Sequence, residues 1–209
     1  MKKFLKEVEV YSYDELDGKA REKVKTFYFD IKVDCDAEYF KDYVREDLKE
    51  DWGVTDLDMY YSLSYSQGDG VCLYGYVSFA DILANENLRN VVCNEIDIEA
   101  HKGVLTEVLD GFKLEHSGRY YHADMVDIET CDDPYRDEYT KEIETIVNKL
   151  FNNFKGWYHD RCREYEKTGY KIFYEYSDDD VKDWVEVNDY AFDCYGDLVG
   201  HYYNLKEAV

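Results

Sequence analysis

Apolar residues recur at helical spacing near the start of the chain. Leu16, Ala20, Val24, Phe27 and Ile31 fall about three to four apart with charges between them, which predicts an amphipathic helix over residues 13–29. A short connection at residues 32–36 leads to a second predicted helix, 37–52, with Phe40, Val44, Leu48 and Trp52 on one face and Gly53 just past its end as a C-cap. The period then changes. Residues 57–65 and 71–79 are rich in aromatic and branched side chains and flank Ser66, Gln67, Gly68, Asp69 and Gly70, a polar loop with two glycines, the signature of a β-hairpin. A helix is expected over residues 98–109, then a second hairpin from runs 111–115 and 120–128 around Ser117 and Gly118.

The single proline, Pro134, opens a long predicted helix over residues 135–167, with Ile143, Val147, Leu150, Phe154, Trp157 and Tyr158 as its apolar stripe and Gly169 as its end. Ser177 is placed to cap a helix over residues 178–187, and a closing strand is expected at 190–199. Helices and hairpins segregate without βαβ alternation. The expected class is α+β, with antiparallel β-hairpins forming a sheet packed against amphipathic helices. Length favours a single acidic domain over residues 1–209, with a subdivision near 130–134 as the alternative.

Composition sharpens this picture. The 209 residues carry 48 acids against 25 bases, a formal net charge of -23, together with 23 tyrosines. Such charge ordinarily signals disorder. Here 45% hydrophobic and 17% aromatic residues supply enough ring area to fold around. Both halves of the chain are acidic, so the charge belongs to the folded surface. It opposes compaction, which points to a basic partner. The N-terminus has no apolar signal segment, no run of about 18 apolar residues could span a bilayer, and anionic lipid would repel the surface. The expectation is a non-secreted protein that binds no membrane. The six cysteines lie at wide, irregular intervals, which suits reduced, mostly buried thiols.

Candidate chemistry is sparse. Neither a G-x-S-x-G elbow nor a P-loop is present, so no catalytic activity is expected. Neither Asp34-Cys35-Asp36 nor Asp178-Asp179-Asp180 has an EF-hand's glycine and glutamate, and His159 with Cys162 makes two ligands rather than a site. No cofactor or metal is expected. Direct nucleic-acid binding is opposed by charge, whereas dense carboxylates could occupy a basic groove built for DNA or RNA. The candidate contact residues are Asp132, Asp133, Asp137 and Glu138 around the start of the long helix and Asp178, Asp179, Asp180 and Asp183 on the last one. A second contact is expected at Gln67, Gly68, Asp69 and Gly70 in the hairpin loop, for which a purely structural turn is the competing reading.

The helix around Glu15 to Lys23, the string Tyr60-Tyr61-Ser62-Leu63-Ser64-Tyr65-Ser66-Gln67-Gly68-Asp69-Gly70-Val71-Cys72 and the C-terminal Tyr174-Glu175-Tyr176-Ser177-Asp178-Asp179-Asp180 together resemble a diffuse family of small acidic proteins. That family is encoded by phages, prophages and plasmids, and its members often carry an antitoxin-like label. The resemblance covers most of the chain loosely and transfers no catalytic residue. It implies an anti-defence inhibitor acting in the host cytoplasm on a basic nucleic-acid-binding host protein, a CRISPR effector or other nuclease, by imitating DNA or RNA. An antitoxin or regulatory protein that neutralises a basic toxin without mimicry is the alternative. Either a monomer or a homodimer is compatible with the sequence.

Overall fold

The computed structural model describes residues 9–132 and 140–201. The chain is α+β, as expected, and its contacts group into two compact units: Tyr39–Ile172, and Met1–Glu38 together with Phe173–Val209. Helices α1 (Gly18–Glu50) and α5 (Lys141–Tyr174) contribute residues to both units.

The larger unit is built on an antiparallel sheet in the order β1-β2-β3-β4, from β1 (Leu57–Ser62), β2 (Gly70–Ser78), β3 (Leu109–His116) and β4 (Val126–Asp132). Helices α2 (Phe79–Ala84), α3 (Glu86–Val92) and α4 (Ile98–Val108) connect β2 to β3. Strand alternation sends Leu73, Val77, Phe112 and Leu114 to one face, where they are buried. Leu150, Phe154, Trp157, Tyr158 and Cys162, at the predicted helical spacing on α5, are buried as well. The two elements meet where the Phe112 ring stacks on Phe154, centroids 4.2 Å apart and planes 13° from parallel. Asn153 fixes α5 against the α3 end by donating to the Val92 carbonyl at 3.0 Å.

In the smaller unit, a 3-10 turn (Tyr13–Glu15), the first part of α1, α6 (Asp178–Val187) and the hairpin β5 (Tyr190–Phe192) and β6 (Leu198–His201) enclose Leu16, Val24, Tyr28, Val181, Val185 and Phe192. Trp184 packs edge-on against Phe27 and Tyr28, at 5.6 and 5.2 Å. No helix among the described residues is long and apolar enough to cross a membrane.

Several boundaries differ from expectation for local reasons. The two predicted opening helices are one: residues 32–36 contain neither proline nor glycine, and Lys32 pairs with Asp36 one turn on. Gly169 does not end α5, which runs on to Tyr174. Its lack of a side chain serves packing, since a Cβ there would lie 2.3 Å from Leu63 Cδ1. Residues 135–139 of that predicted helix lie outside the described residues. The closing strand is a hairpin, turned by Asp193, whose carboxylate accepts from the Tyr195 and Asp197 amides at 2.8 and 2.9 Å. Residues 120–125 precede β4 rather than extending it, and the unpredicted α2 and α3 start at Ser78 and Asn85, whose side chains accept from the Asp81 and Leu88 amides.

Candidate functional site

The face of the sheet opposite α5 carries a cluster of aromatic and charged side chains. Register places Asp58 opposite Tyr74, Tyr76 opposite Lys113, Lys113 opposite Glu129 and Glu115 opposite Asp127, so these side chains share one face. Tyr60 stacks on Tyr74 with centroids 4.3 Å apart and planes 15° from parallel, and remains 42% exposed. His116 and Tyr121 stand 5.2 and 5.7 Å from the Tyr60 ring. The result is a four-ring aromatic cluster with carboxylates around it.

Polar contacts orient the rings. The Tyr74 hydroxyl donates to Asp58 at 3.3 Å. Burial raises the Tyr74 phenol above its ordinary range, and the neighbouring Tyr60 and Asp58 raise it further. Burial and then the Asp110 carboxylate push Tyr76 up to about 12. Both phenols therefore remain neutral donors at ordinary pH. Cations reach this face as well: Arg45 lies 3.6 Å from Asp58, and Lys113 pairs with Glu115. Between the rings lies a shallow depression of about 690 Å³, bordered by Asp56, Tyr60, Tyr74, Tyr76, Glu115 and His116 among others. Its floor depends on Gly75, whose φ of +132° and missing side chain let the Asp56 carbonyl approach; a Cβ would stand 2.1 Å from that oxygen. The same carbonyl accepts from the Tyr76 amide at 3.1 Å.

The hairpin loop holds its residues differently from a free recognition loop. Asp69 accepts from Ser62 Oγ at 2.7 Å, from the Ser64 and Ser66 amides at 2.6 and 2.8 Å, and from Ser66 Oγ at 2.9 Å. Burial alone would raise its carboxyl, but these hydrogen bonds hold it far below the usual range. Gly68 and Gly70 lie against Tyr120 and His122, where a Cβ would clash, and the Gly68 carbonyl accepts from the Tyr121 amide at 3.4 Å. Gln67 is exposed at the tip. Asp69 is thus an internal latch, and the loop buttresses the segment that delivers Tyr121 to the aromatic face.

The predicted acids are dispersed. The Asp132 backbone ends β4, while Asp133, Asp137 and Glu138 lie outside the described residues. On α6, Asp178 pairs with Lys25 at 2.7 Å and Asp180 closes a capping box with Ser177, accepting from its amide at 2.6 Å. Asp179 and Asp183 are exposed one helical turn apart. His159 and Cys162 do not converge: burial pushes the Cys162 thiol up to about 12, and half-buried His159 faces Asp124 at 3.8 Å. Among the described residues no three His, Cys, Asp or Glu side chains are grouped to hold a metal. The candidate residues absent from the sequence-based set are Asp58, Tyr60, Tyr74, Glu115, His116 and Tyr121. Their signal was the alternation Asp58-x-Tyr60 and Tyr74-x-Tyr76 within strands already recognised.

No curated protein and no solved structure matches the chain. A family model matches residues 33–169, which take in the whole sheet, its aromatic face and the loop of Asp69, and leave out Asp178, Asp179, Asp180 and Asp183. By that match, the chain belongs to the family described as a domain of unknown function, DUF8835.

Proposed function

We propose that this protein is a non-enzymatic inhibitor that binds a basic nucleic-acid-handling host protein through an acidic, tyrosine-rich surface, in competition with DNA or RNA. The observation that carries the reading is the open face of the sheet, which joins four exposed carboxylates, Asp58, Glu115, Asp127 and Glu129, to the Tyr60, Tyr74, His116 and Tyr121 rings. Carboxylates on alternate residues of a strand recur about every 6.8 Å, and neighbouring strands stand about 4.8 Å apart, so the face offers a two-dimensional array of negative charge. Tyrosine adds contact area at low entropic cost and a hydroxyl for hydrogen bonding. The net charge of -23 extends the attraction beyond the contact. The resemblance to phage and plasmid proteins supports a CRISPR effector or other defence nuclease as the partner, with the host cytoplasm as the place of action.

Affinity capture from a bacterial lysate, followed by identification of the bound protein, tests the reading. A basic nuclease that is released by added salt and excluded by prior loading with guide RNA or duplex DNA is the expected result. A partner retained unchanged in the presence of saturating nucleic acid would favour neutralisation of a basic toxin instead. Inhibition at substoichiometric ratios with turnover would replace binding with catalysis.

A further inference from the structure

We infer that the depression on the open face of the sheet receives an arginine side chain of the partner. The inference rests on the basic-partner reading and adds the chemistry of the contact. A planar guanidinium stacks on aromatic faces while its fork of donors bonds to carboxylates, a combination that an ammonium cannot reproduce. The depression supplies both. Tyr60, Tyr74, Tyr76 and His116 line it together with Glu115, and the Tyr60 ring contacts both Tyr74 and His116. Asp56 is a further acidic residue of the same lining, and Lys113 brings a cation to it.

The protein already shows the cation preference of these positions. The Lys113 ammonium occupies Glu115, and the Arg45 guanidinium approaches Asp58 at 3.6 Å on the adjoining side of Tyr74. Both pairs are about half exposed, with side-chain accessibilities of 49% and 60% for Lys113 and Glu115, and 54% and 53% for Arg45 and Asp58. Exposed pairs of this kind hold each other weakly, so an incoming guanidinium can displace Lys113 from Glu115 at little cost. Stacking on the rings then distinguishes the arriving side chain from the lysine it displaces.

The test uses two probes, octa-arginine and octa-lysine peptides, titrated into the full chain at low ionic strength and read by fluorescence anisotropy. Octa-arginine should bind more tightly than octa-lysine. Tyr60→Leu keeps apolar bulk but removes the π face, and should weaken octa-arginine by about two- to fivefold while leaving octa-lysine nearly unchanged. Lys113→Met frees Glu115 at an exposed position. It should tighten octa-arginine more than Lys167→Met, a change of the same charge at an exposed position of α5. Equal affinities for the two peptides, insensitive to Tyr60→Leu and shifted alike by both lysine variants, would overturn the arginine pocket and leave the basic-partner reading standing. Failure of both peptides to bind would overturn that reading as well.

Discussion

Removing the carboxylate of Asp69 tests how far the hairpin loop is built for stability. In Asp69→Ala, two amides and the Ser62 and Ser66 hydroxyls lose an acceptor at 2.6 to 2.9 Å, and the Ser64 and Tyr170 hydroxyls lose a longer one at 3.3 and 3.4 Å. A hydrogen bond to a charged group contributes about 1.5–3 kcal/mol, but the Ser64 and Ser66 donors are exposed and water replaces much of that. Discounting them to a few tenths each and keeping the part-buried Ser62 bond gives a loss of about 2–3 kcal/mol. For a chain of this size, that lowers Tm by roughly 5–10 °C. Asp69→Asn, which keeps the shape and one acceptor oxygen, should fall between the two. The pH dependence carries an independent sign. Because the folded carboxyl titrates below its ordinary value of 3.8, its contribution is fully present above that value and is lost as pH falls through it toward the lower folded pKa. The gap between wild type and Asp69→Asn should therefore be constant near neutrality and narrow below about pH 4. Thermal melts by circular dichroism from pH 7 to pH 3 measure both. An Asp69→Asn protein that melts with the wild type at pH 7 would refute the latch.

Three further outcomes are expected. Gly75→Ala places a Cβ 2.1 Å from the Asp56 carbonyl at a positive φ and should cost about 3 kcal/mol or more, read as a lower denaturation midpoint in urea. Ser177→Ala opens the capping box of α6 and should cost about 1 kcal/mol, read by the same titration. With a thiol reagent at pH 8, exposed Cys35 and Cys194 should label rapidly, whereas Cys72 and Cys93, whose burial pushes them up to about 11, and Cys162 should label only on unfolding.

Much of the fold was legible because its signals are local. The apolar stripe of α5, the Ser177 cap and the glycine-bearing hairpin loop are written in neighbouring residues. What escaped was set by packing. Gly169 reads as a helix stop until Leu63 and Phe40 are seen to occupy the space of its side chain. Asp69 reads as a solvated loop acid until Ser62, Ser64 and Ser66, all preceding it in the chain, are seen to donate to it. The candidate site was the least legible part. The hairpin pattern implied that Tyr60 and Tyr74 lay in paired strands, but only the register stacks them, and only the return of residues 120–122 over the loop brings Tyr121 beside them. The acid run on α6 is conspicuous in sequence, yet Asp178 and Asp180 are engaged in an ion pair and a cap.

The most direct test of the central claim is the affinity of the captured nuclease, freed of nucleic acid, for two neutralised variants measured by titration calorimetry. Glu115→Gln, Asp127→Asn and Glu129→Gln together neutralise three of the four carboxylates named on the open face of the sheet, while Asp179→Asn and Asp183→Asn together neutralise two exposed acids of α6. The account predicts a loss of about tenfold or more and a shallower salt dependence for the sheet variant, with a smaller change for the α6 variant. An unchanged affinity in the sheet variant, or a larger loss from α6, would contradict it.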